Sequence, residues 1–265
     1  MEKNKTNRTE EIVSFTVVTR TDGRPVSKII SPDGQGGITK QPSANIWQGS
    51  MQRVAMPFKE FGPFIRSLKS NQAIVHGVPV NHGGDDYQEF AFGIVGKEDP
   101  PFRLSRSLKH MAYPTDTSCV CMFDHDPKPG QQPLSPEELI EAILMVVPEF
   151  VECPTWSIPS TSSCIYDLDG KELSGQGAGY HLYFPFCDPM GLPSFVATLF
   201  KRLWLQGHGY IFVTRSGTML ERTIFDAAVF SPERLDFVSG AVCENCNQRL
   251  PEPVFRIGKE IYNEN

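Results

Sequence analysis

The chain has 265 residues, with 25 lysines and arginines against 31 aspartates and glutamates, and 40% of the residues are hydrophobic. This length and composition are typical of a folded protein with one large or two small domains, and they exclude general disorder. The formal charge of -6 excludes a global electrostatic attraction to polyanions. Any such binding would need a local basic patch or bound cations.

The seven cysteines are scattered and odd in number, which predicts reduced thiols and a cytoplasmic location. The first 11 residues are polar, and no apolar run reaches the roughly 18 residues of a membrane span, so we expect neither a targeting segment nor a membrane partner. Cys243 and Cys246 have the spacing of zinc ligands. A structural zinc ion needs four ligands and no second pair follows, so we do not expect zinc.

The 22 glycines and 22 prolines of the whole chain predict short elements separated by turns. We expect a flexible tail over 1–10, a strand over 12–18, a helix within 56–70 and a strand over 71–80. Arg103, Arg106 and Lys109 form a small basic cluster that could contact phosphate, or could be an ordinary solvated face.

The pattern is more regular after residue 117. We predict strands over 118–123, 163–166, 180–184, 210–214 and 222–226, and helices over about 136–147 and 193–205. Ser135 and Pro136 have the positions of an N-cap and a first helical residue. Because strands surround the two helices, the fold class is predicted to be α+β, with the helices on one face of a sheet.

Asp124 and Asp126 stand two residues apart at the end of the first of these strands. In an extended chain such residues project to the same side, and His125 points away. Two carboxylates so close repel each other unless a cation bridges them, and their hard oxygen atoms suit Mg²⁺ or Mn²⁺. The alternative is a pair of ordinary acids in a turn that ends a strand. Asp167 and Asp169 have the same spacing, but the glycine after them favours a hairpin.

Two further segments carry polar groups suited to phosphate. The segment SGQGAGYH (174–181) places Ser174, Gly177 and Gly179 before His181, and such glycines let backbone amides approach an anion. His181 could bind the same anion, or could be a hydrogen-bonded strand residue. In the segment 222–234, Asp226 ends an apolar stretch and could be a third carboxylate ligand, while Arg222 and Arg234 could hold phosphates.

These three segments, in this order, resemble the archaeo-eukaryotic primase superfamily, which includes primase-polymerases and the replication primases of plasmids and phages. The resemblance is carried by MFDHD (122–126), by 174–181 with Tyr183, and by IFDAAV (224–229), and it covers about 100–240. The family often has a serine two residues before the histidine, where this chain has Gly179.

The resemblance implies a primase-polymerase catalytic core over 11–241. Its N-terminal α/β lobe would span about 11–113, and an RRM-like mixed or antiparallel sheet over about 114–241 would carry the acidic residues. Residues 242–265 would be a C-terminal extension or linker. The implied activity is template-directed nucleotidyl transfer, by a DNA primase or DNA polymerase, in replication of a bacterial mobile element, plasmid or phage.

The resemblance also assigns roles. Asp124, Asp126 and Asp226 would be catalytic and hold two divalent ions, Mg²⁺ or Mn²⁺. His181, Ser174, Gly177, Gly179, Arg222 and Arg234 would bind the nucleotide, and Arg103, Arg106 and Lys109 would bind DNA. The partners would be a single-stranded DNA template, NTP or dNTP substrates, and a helicase or further domain. The alternatives are a metal-dependent nuclease or relaxase-like phosphodiesterase, and a non-catalytic DNA-binding replication module.

Overall fold

The computed structural model describes residues 10–42, 46, 48–80, 90–93, 104–127, 133–174, 179–214, 216–257 and 260–261; at 90–93 and 260–261 it describes the strand backbone alone. The expected tail over 1–10 therefore lies almost entirely outside the described residues. No helix in these ranges is long and apolar enough to cross a membrane.

Strands outnumber helices, as the turn-rich sequence predicted. The helices are α1 (Phe58–Ser67), α2 (Pro136–Leu144) and α3 (Leu192–Leu203). The strands are β1 (Ile12–Arg20), β2 (Lys28–Pro32), β3 (Ile38–Pro42), β4 (Gln48–Pro57), β5 (Gln72–Val75), β6 (Val78–Pro79), β7 (Phe90–Gly93), β8 (Met111–Ala112), β9 (Ser118–His125), β10 (Pro154–Pro159), β11 (Ile165–Tyr166), β12 (Tyr180–Phe186), β13 (Tyr210–Val213), β14 (Met219–Arg222), β15 (Leu235–Asp236), β16 (Val242–Cys243), β17 (Asn247–Gln248), β18 (Val254–Ile257) and β19 (Glu260–Ile261).

A ten-stranded mixed sheet forms the centre of the described structure. Its strands run in the order β15-β5-β1-β9-β12-β10-β18-β19, and β4 pairs with β1 and with β7. The pairs are antiparallel except β1 with β9. One edge of β1 is shared, because β9 pairs with Val13 and Ser14 while β5 pairs with 16–19. The sheet thus forks between β5 and β9.

Strand β9 separates two apolar layers because its side chains alternate between the faces of the sheet. Cys119, Cys121 and Phe123 pack with the buried faces of α2 and α3. Val120 and Met122 pack on the other side, in the cluster that contains the α1 residues 58, 61 and 65. The α+β class is confirmed, but the prediction of helices on one face holds only for α2 and α3. Helix α1 covers the opposite face because its phenylalanines pack against β1 and β12.

The start of helix α2 follows the sequence signal closely. The Ser135 side chain accepts a hydrogen bond from the Glu138 amide, and the Glu138 carboxylate accepts one from the Ser135 amide. Pro136 occupies the first turn, where its missing amide hydrogen costs nothing. This reciprocal cap confirms the predicted helix start and fixes where the chain leaves the loop after β9.

The C-terminal segment enters the sheet instead of trailing away from it. Strand β18 pairs with β10, and the Phe255 ring lies 4.8 Å from the Trp156 ring. The Trp156 indole donates to the carbonyl oxygen of Phe58, at 2.9 Å, so this contact also reaches α1. The segment expected to be an extension or linker therefore contributes to the core. Its pairing was hard to foresee because an isolated four-residue strand has little pattern.

Candidate active site

Strands β9 and β12 bring the first acid and the histidine together. The antiparallel register places Asp124 directly opposite His181, and the His181 Nε2 atom lies 3.6 Å from the Asp124 Oδ1 atom. Both residues face the α1 side of the sheet, since β9 and β12 alternate in step. More than 50 residues separate these groups in the sequence, and the strand pair brings them together.

The two acids of the D-x-D segment share one cavity of about 130 Å³, which Asp226 also lines. The Asp124 side chain is 26% exposed, and Asp126 is exposed. His125 is held by two hydrogen bonds instead: its Nδ1 atom lies 2.7 Å from the Ile224 carbonyl oxygen, and its Nε2 atom accepts from the Leu134 amide. Burial lowers the pKa of His125, so its ring is a neutral structural group.

Asp226 does not end a strand, so the predicted strand over 222–226 is wrong. Strand β14 stops at Arg222, and Asp226 is the N-cap of a short 3-10 helix, Ala227–Val229. The chain leaves the strand here because the Phe225 side chain is buried against Phe123, with ring centroids 4.9 Å apart. The Asp226 amide nevertheless donates to the Asp124 carbonyl oxygen at 3.0 Å, which keeps the two acids adjacent.

The Asp226 carboxylate already has positive partners. Its Oδ1 atom accepts hydrogen bonds from the Arg222 guanidinium, at 2.9 Å, and from the Ala228 amide. Within the described ranges, no three His, Cys, Asp or Glu side chains lie close enough together to hold one ion. Because Arg222 draws Asp226 to itself, cation binding here would require Asp226 to turn from Arg222 toward the D-x-D pair.

The electrostatics of Asp124 favour a cation. Burial raises the pKa of the Asp124 carboxyl, and His181 lowers it less than burial raises it. Three neighbouring acids add to the increase: Asp126, Asp236 and Asp226. Burial and neighbouring acids make the ionised form of a carboxyl group unfavourable. A bound divalent cation would stabilise that ionised form. The carboxylate oxygens are of the kind that Mg²⁺ and Mn²⁺ prefer, but they are not gathered around one point in the described structure, and the metal role stays a prediction.

A second cavity, of about 170 Å³, lies on the other side of Asp124. It has two cationic side chains, Lys28 and Arg234, and two histidines, His76 and His181. Arg234 is exposed and donates to the carbonyl oxygen of Ala228 at 3.1 Å. Asp124 thus lines both cavities: the first also has Asp126, Asp226 and Arg222, and the second has Asp236 together with the predicted nucleotide ligands His181 and Arg234.

A buried polar network extends from His181 and includes two residues that the sequence reasoning missed, Asp236 and His76. The Tyr183 hydroxyl donates to the Asp236 Oδ2 atom at 2.7 Å, and the His76 Nε2 atom lies 3.4 Å from the same oxygen. Burial tends to raise the pKa of Asp236, but His181, His76 and Tyr183 outweigh it and lower that pKa. The available signal was a lone acid between apolar residues in LDFV (235–238).

The predicted glycine turn is only partly described, and Gly177 lies outside the described residues. The Ser174 hydroxyl is used locally, accepting from the Ile165 amide and donating to Glu172. Gly179 has a packing role: a Cβ atom there would lie 2.7 Å from the His125 carbonyl oxygen. Because glycine has no side chain, the start of β12 can approach the end of β9. Close packing of the two strand ends therefore explains why a glycine stands here.

The remaining candidates lie away from the two cavities or outside the described ranges. Arg103 is not described, Arg106 is exposed and donates to the Glu233 carbonyl oxygen at 2.6 Å, and Lys109 is exposed. Asp167 accepts from the Lys171 amide in a tight turn, as the hairpin prediction required.

The pair with zinc-ligand spacing packs into a small apolar cluster with Ile30 and Ile165. The Cys246 thiol lies 3.4 Å from the Ile30 carbonyl oxygen, and burial raises the pKa of Cys243 to about 11.

No protein-family model, no curated protein and no solved structure matches this chain.

Proposed function

We propose that the chain is a template-directed nucleotidyltransferase, a DNA primase or DNA polymerase built on a primase-polymerase catalytic core. One observation carries the proposal: Asp124 lines both a cavity with two further acids and a cavity with two cationic side chains and two histidines. Nucleotidyl transfer needs both environments side by side, because cations must act at the reacting phosphate while positive side chains neutralise the rest of the triphosphate.

The acidic cavity supplies the groups for divalent cations. Asp124, Asp126 and Asp226 would hold Mg²⁺ or Mn²⁺, and such ions stabilise the attacking oxygen and the leaving pyrophosphate. Release of Asp226 from Arg222 would free the guanidinium for a phosphate oxygen, since arginine pairs as well with phosphate as with carboxylate. The ion pair seen between these two residues is then the resting arrangement of the site.

The second cavity suits the nucleotide phosphates. Lys28 and Arg234 offer donors to phosphate oxygens, and His181, which lines the same cavity, lies 3.6 Å from Asp124. The cavity also has an aromatic side chain, Phe237, against which a base or sugar could pack. The nucleotide would thus span the second cavity, with its reacting phosphate toward Asp124.

Template binding would depend on local positive groups because the whole chain is acidic. Arg106 and Lys109 are exposed, and Arg106 contacts the segment that carries Arg234. Few phosphate contacts imply weak binding, and the slope of its salt dependence would report how many phosphates are contacted. We expect a single-stranded DNA template as a partner, and a helicase or further domain that increases the affinity for it.

A template-extension assay tests the function. The purified chain is given labelled NTPs or dNTPs, Mg²⁺ or Mn²⁺, and single-stranded DNA with and without a primer, and we expect incorporation that depends on the template. Cleavage of the DNA without incorporation would favour the alternative of a metal-dependent nuclease. Neither reaction, with DNA binding retained, would favour a non-catalytic replication module.

A substitution of His181 tests its role within this function. His181→Ala should raise the KM for nucleotide and lower kcat while leaving Mn²⁺ binding in place, since the acids are untouched. His208→Ala is the matched control, because His208 follows α3 and lines neither cavity. Full activity of the His181 variant would remove His181 from the site.

A further inference from the structure

The two ring nitrogens of His181 lie in different surroundings. The Nε2 atom faces Asp124 at 3.6 Å, on the side of the second cavity. The Nδ1 atom lies 2.9 Å from the Tyr183 hydroxyl and 3.4 Å from the Asp236 Oδ1 atom. The ring is therefore held on one side by buried groups and offers its other nitrogen to the site.

The direction of the hydrogen bonds follows from the number of hydrogens available. Tyr183 is fully buried, and burial raises the pKa of its hydroxyl, which keeps its single hydrogen. Asp236 is an ionised acid and can only accept, so the Tyr183 hydrogen points to Asp236. The Tyr183 oxygen must then accept from the Nδ1 atom of His181. This nitrogen consequently carries a hydrogen.

Asp236 is the group that imposes this order. Its side chain is 4% exposed, and its three nearest polar partners are Tyr183, His181 and His76. A buried carboxylate keeps donors aimed at it because leaving it unpaired would be costly. Asp236 comes from β15, whereas His181 and Tyr183 come from β12, so the contact also ties the two arms of the forked sheet.

We propose that Asp236 is a positioning residue that holds His181 with Nδ1 protonated and with Nε2 turned to Asp124 and the second cavity. A neutral His181 then presents a lone pair to the site and a charged one presents a donor, always from the same nitrogen. The use of that nitrogen for a nucleotide rests on the proposed function, whereas the tautomer itself is a property of the folded chain.

The tautomer can be read by long-range ¹H–¹⁵N NMR on the full chain with labelled histidine, at a pH where histidines are neutral and without nucleotide or template. The His181 signals are assigned by comparison with His181→Gln. We expect the wild-type Nδ1 shift of a protonated ring nitrogen. In Asp236→Leu, Tyr183 has only Nδ1 left to donate to, so the two nitrogen shifts should exchange and His181 should become Nε2-protonated.

Two further variants keep the test decisive if Asp236→Leu does not fold. Tyr183→Phe should keep Nδ1 protonated, because the Asp236 Oδ1 atom remains near it. Tyr180→Phe is the matched control: it removes a buried hydroxyl from the opposite face of β12, where Tyr180 donates to the Ser135 carbonyl oxygen. This control should leave the His181 shifts unchanged.

An Nε2-protonated wild type, an unchanged tautomer in folded Asp236→Leu, or an exchange in Tyr183→Phe would each overturn the positioning role. Failure of the chain to incorporate nucleotides would reject the proposed function alone, because the NMR experiment contains neither nucleotide nor template. The two proposals are thus tested separately.

Discussion

The backbone amide of Asp226 donates a hydrogen bond of 3.0 Å to the carbonyl oxygen of Asp124. Two acids from distant segments are therefore joined through main-chain atoms, which any side-chain substitution leaves in place. The distance between the segments is set by the fold and not by the carboxylates. This arrangement allows the chemistry of the acids to be removed without removing the framework that holds them.

Replacing Asp124 and Asp126 together by alanine should reduce nucleotide incorporation by at least about 100-fold while the chain stays folded. The reason is that both side chains lie at the open end of β9 and line the acidic cavity. The extension assay and circular dichroism together measure this. Asp167→Ala with Asp169→Ala is the matched control, since it removes the other D-x-D pair from a hairpin. Full activity in the first variant would contradict the assignment of the acids.

Arg222→Ala should bind Mn²⁺ more tightly and raise the nucleotide KM by about tenfold, roughly 1.4 kcal/mol. The variant lacks the guanidinium that competes with Mn²⁺ for the Asp226 carboxylate. It also lacks a hydrogen-bond donor for a phosphate oxygen. Stability should change by less than about 1 kcal/mol, because the ion pair is partly exposed. Titration with Mn²⁺ and steady-state kinetics measure both effects. Arg53→Ala, which breaks an ion pair with Asp116 at 2.7 Å, is the control. Weaker Mn²⁺ binding would show that Arg222 supports the cation site.

Asp124→Asn should raise the melting temperature at pH 7 in the absence of divalent cations. Burial raises the pKa of Asp124 above its ordinary value of 3.8, so the native state keeps the proton to a higher pH than the unfolded chain. Stability therefore falls as the pH rises from 3.8 through the native pKa, and asparagine avoids this loss. The gain should disappear toward pH 3.8, as melting curves at several pH values would show.

The control for this pH experiment is Asp116→Asn, which should have the opposite sign. The Arg53 hydrogen bond lowers the pKa of Asp116, so its contribution to stability exists above pH 3.8 and is lost on acidification. Added Mn²⁺ should stabilise the wild type more than Asp124→Asn. Equal melting temperatures of Asp124→Asn and wild type at pH 7 would mean that Asp124 has no excess ionisation cost.

Gly179→Ala should destabilise the chain by about 1–3 kcal/mol and lower incorporation even where the variant is folded. The added Cβ atom would meet the His125 carbonyl oxygen at 2.7 Å and the Asp126 Cα atom at 3.3 Å. Backbone cannot yield as a flexible side chain does, so the ends of β9 and β12 must separate and Asp126 must shift. Urea unfolding and the extension assay measure the two effects. A variant as stable and active as wild type would show that this contact is not close in solution.

The sequence predicted elements whose signals are local. The apolar strand with its D-x-D end and the capping box at Ser135 both survive in the structure, because each depends on residues within a few positions. Strand β10 was missed because prolines stand at both of its ends, and β18 because four residues carry little pattern.

The site could be predicted only as far as strand register allows. Asp124 and His181 face each other because β9 and β12 pair with each other, and the sequence predicted both strands but not their pairing. Asp236 was not foreseeable in the same way, since it reaches His181 through the fork in the sheet and its three partners come from two other segments, β12 and the turn after β5. The sequence predicted Asp226 at the end of a strand. In the structure the chain leaves the strand after Arg222, where Phe225 is buried, and Asp226 caps a short 3-10 helix.

The pairing of β18 with β10 has a practical meaning for recombinant work on this protein. A product cut after residue 241 would keep every proposed active-site residue, yet it would leave β10 as a bare edge with Trp156 and Ile158 uncovered. Unpaired apolar edges associate with one another, so such a product should aggregate even though its catalytic groups are complete. Any shortened version should therefore keep the residues after 241. Comparing the solubility of the full and truncated chains would test whether β18 pairs with β10 in solution.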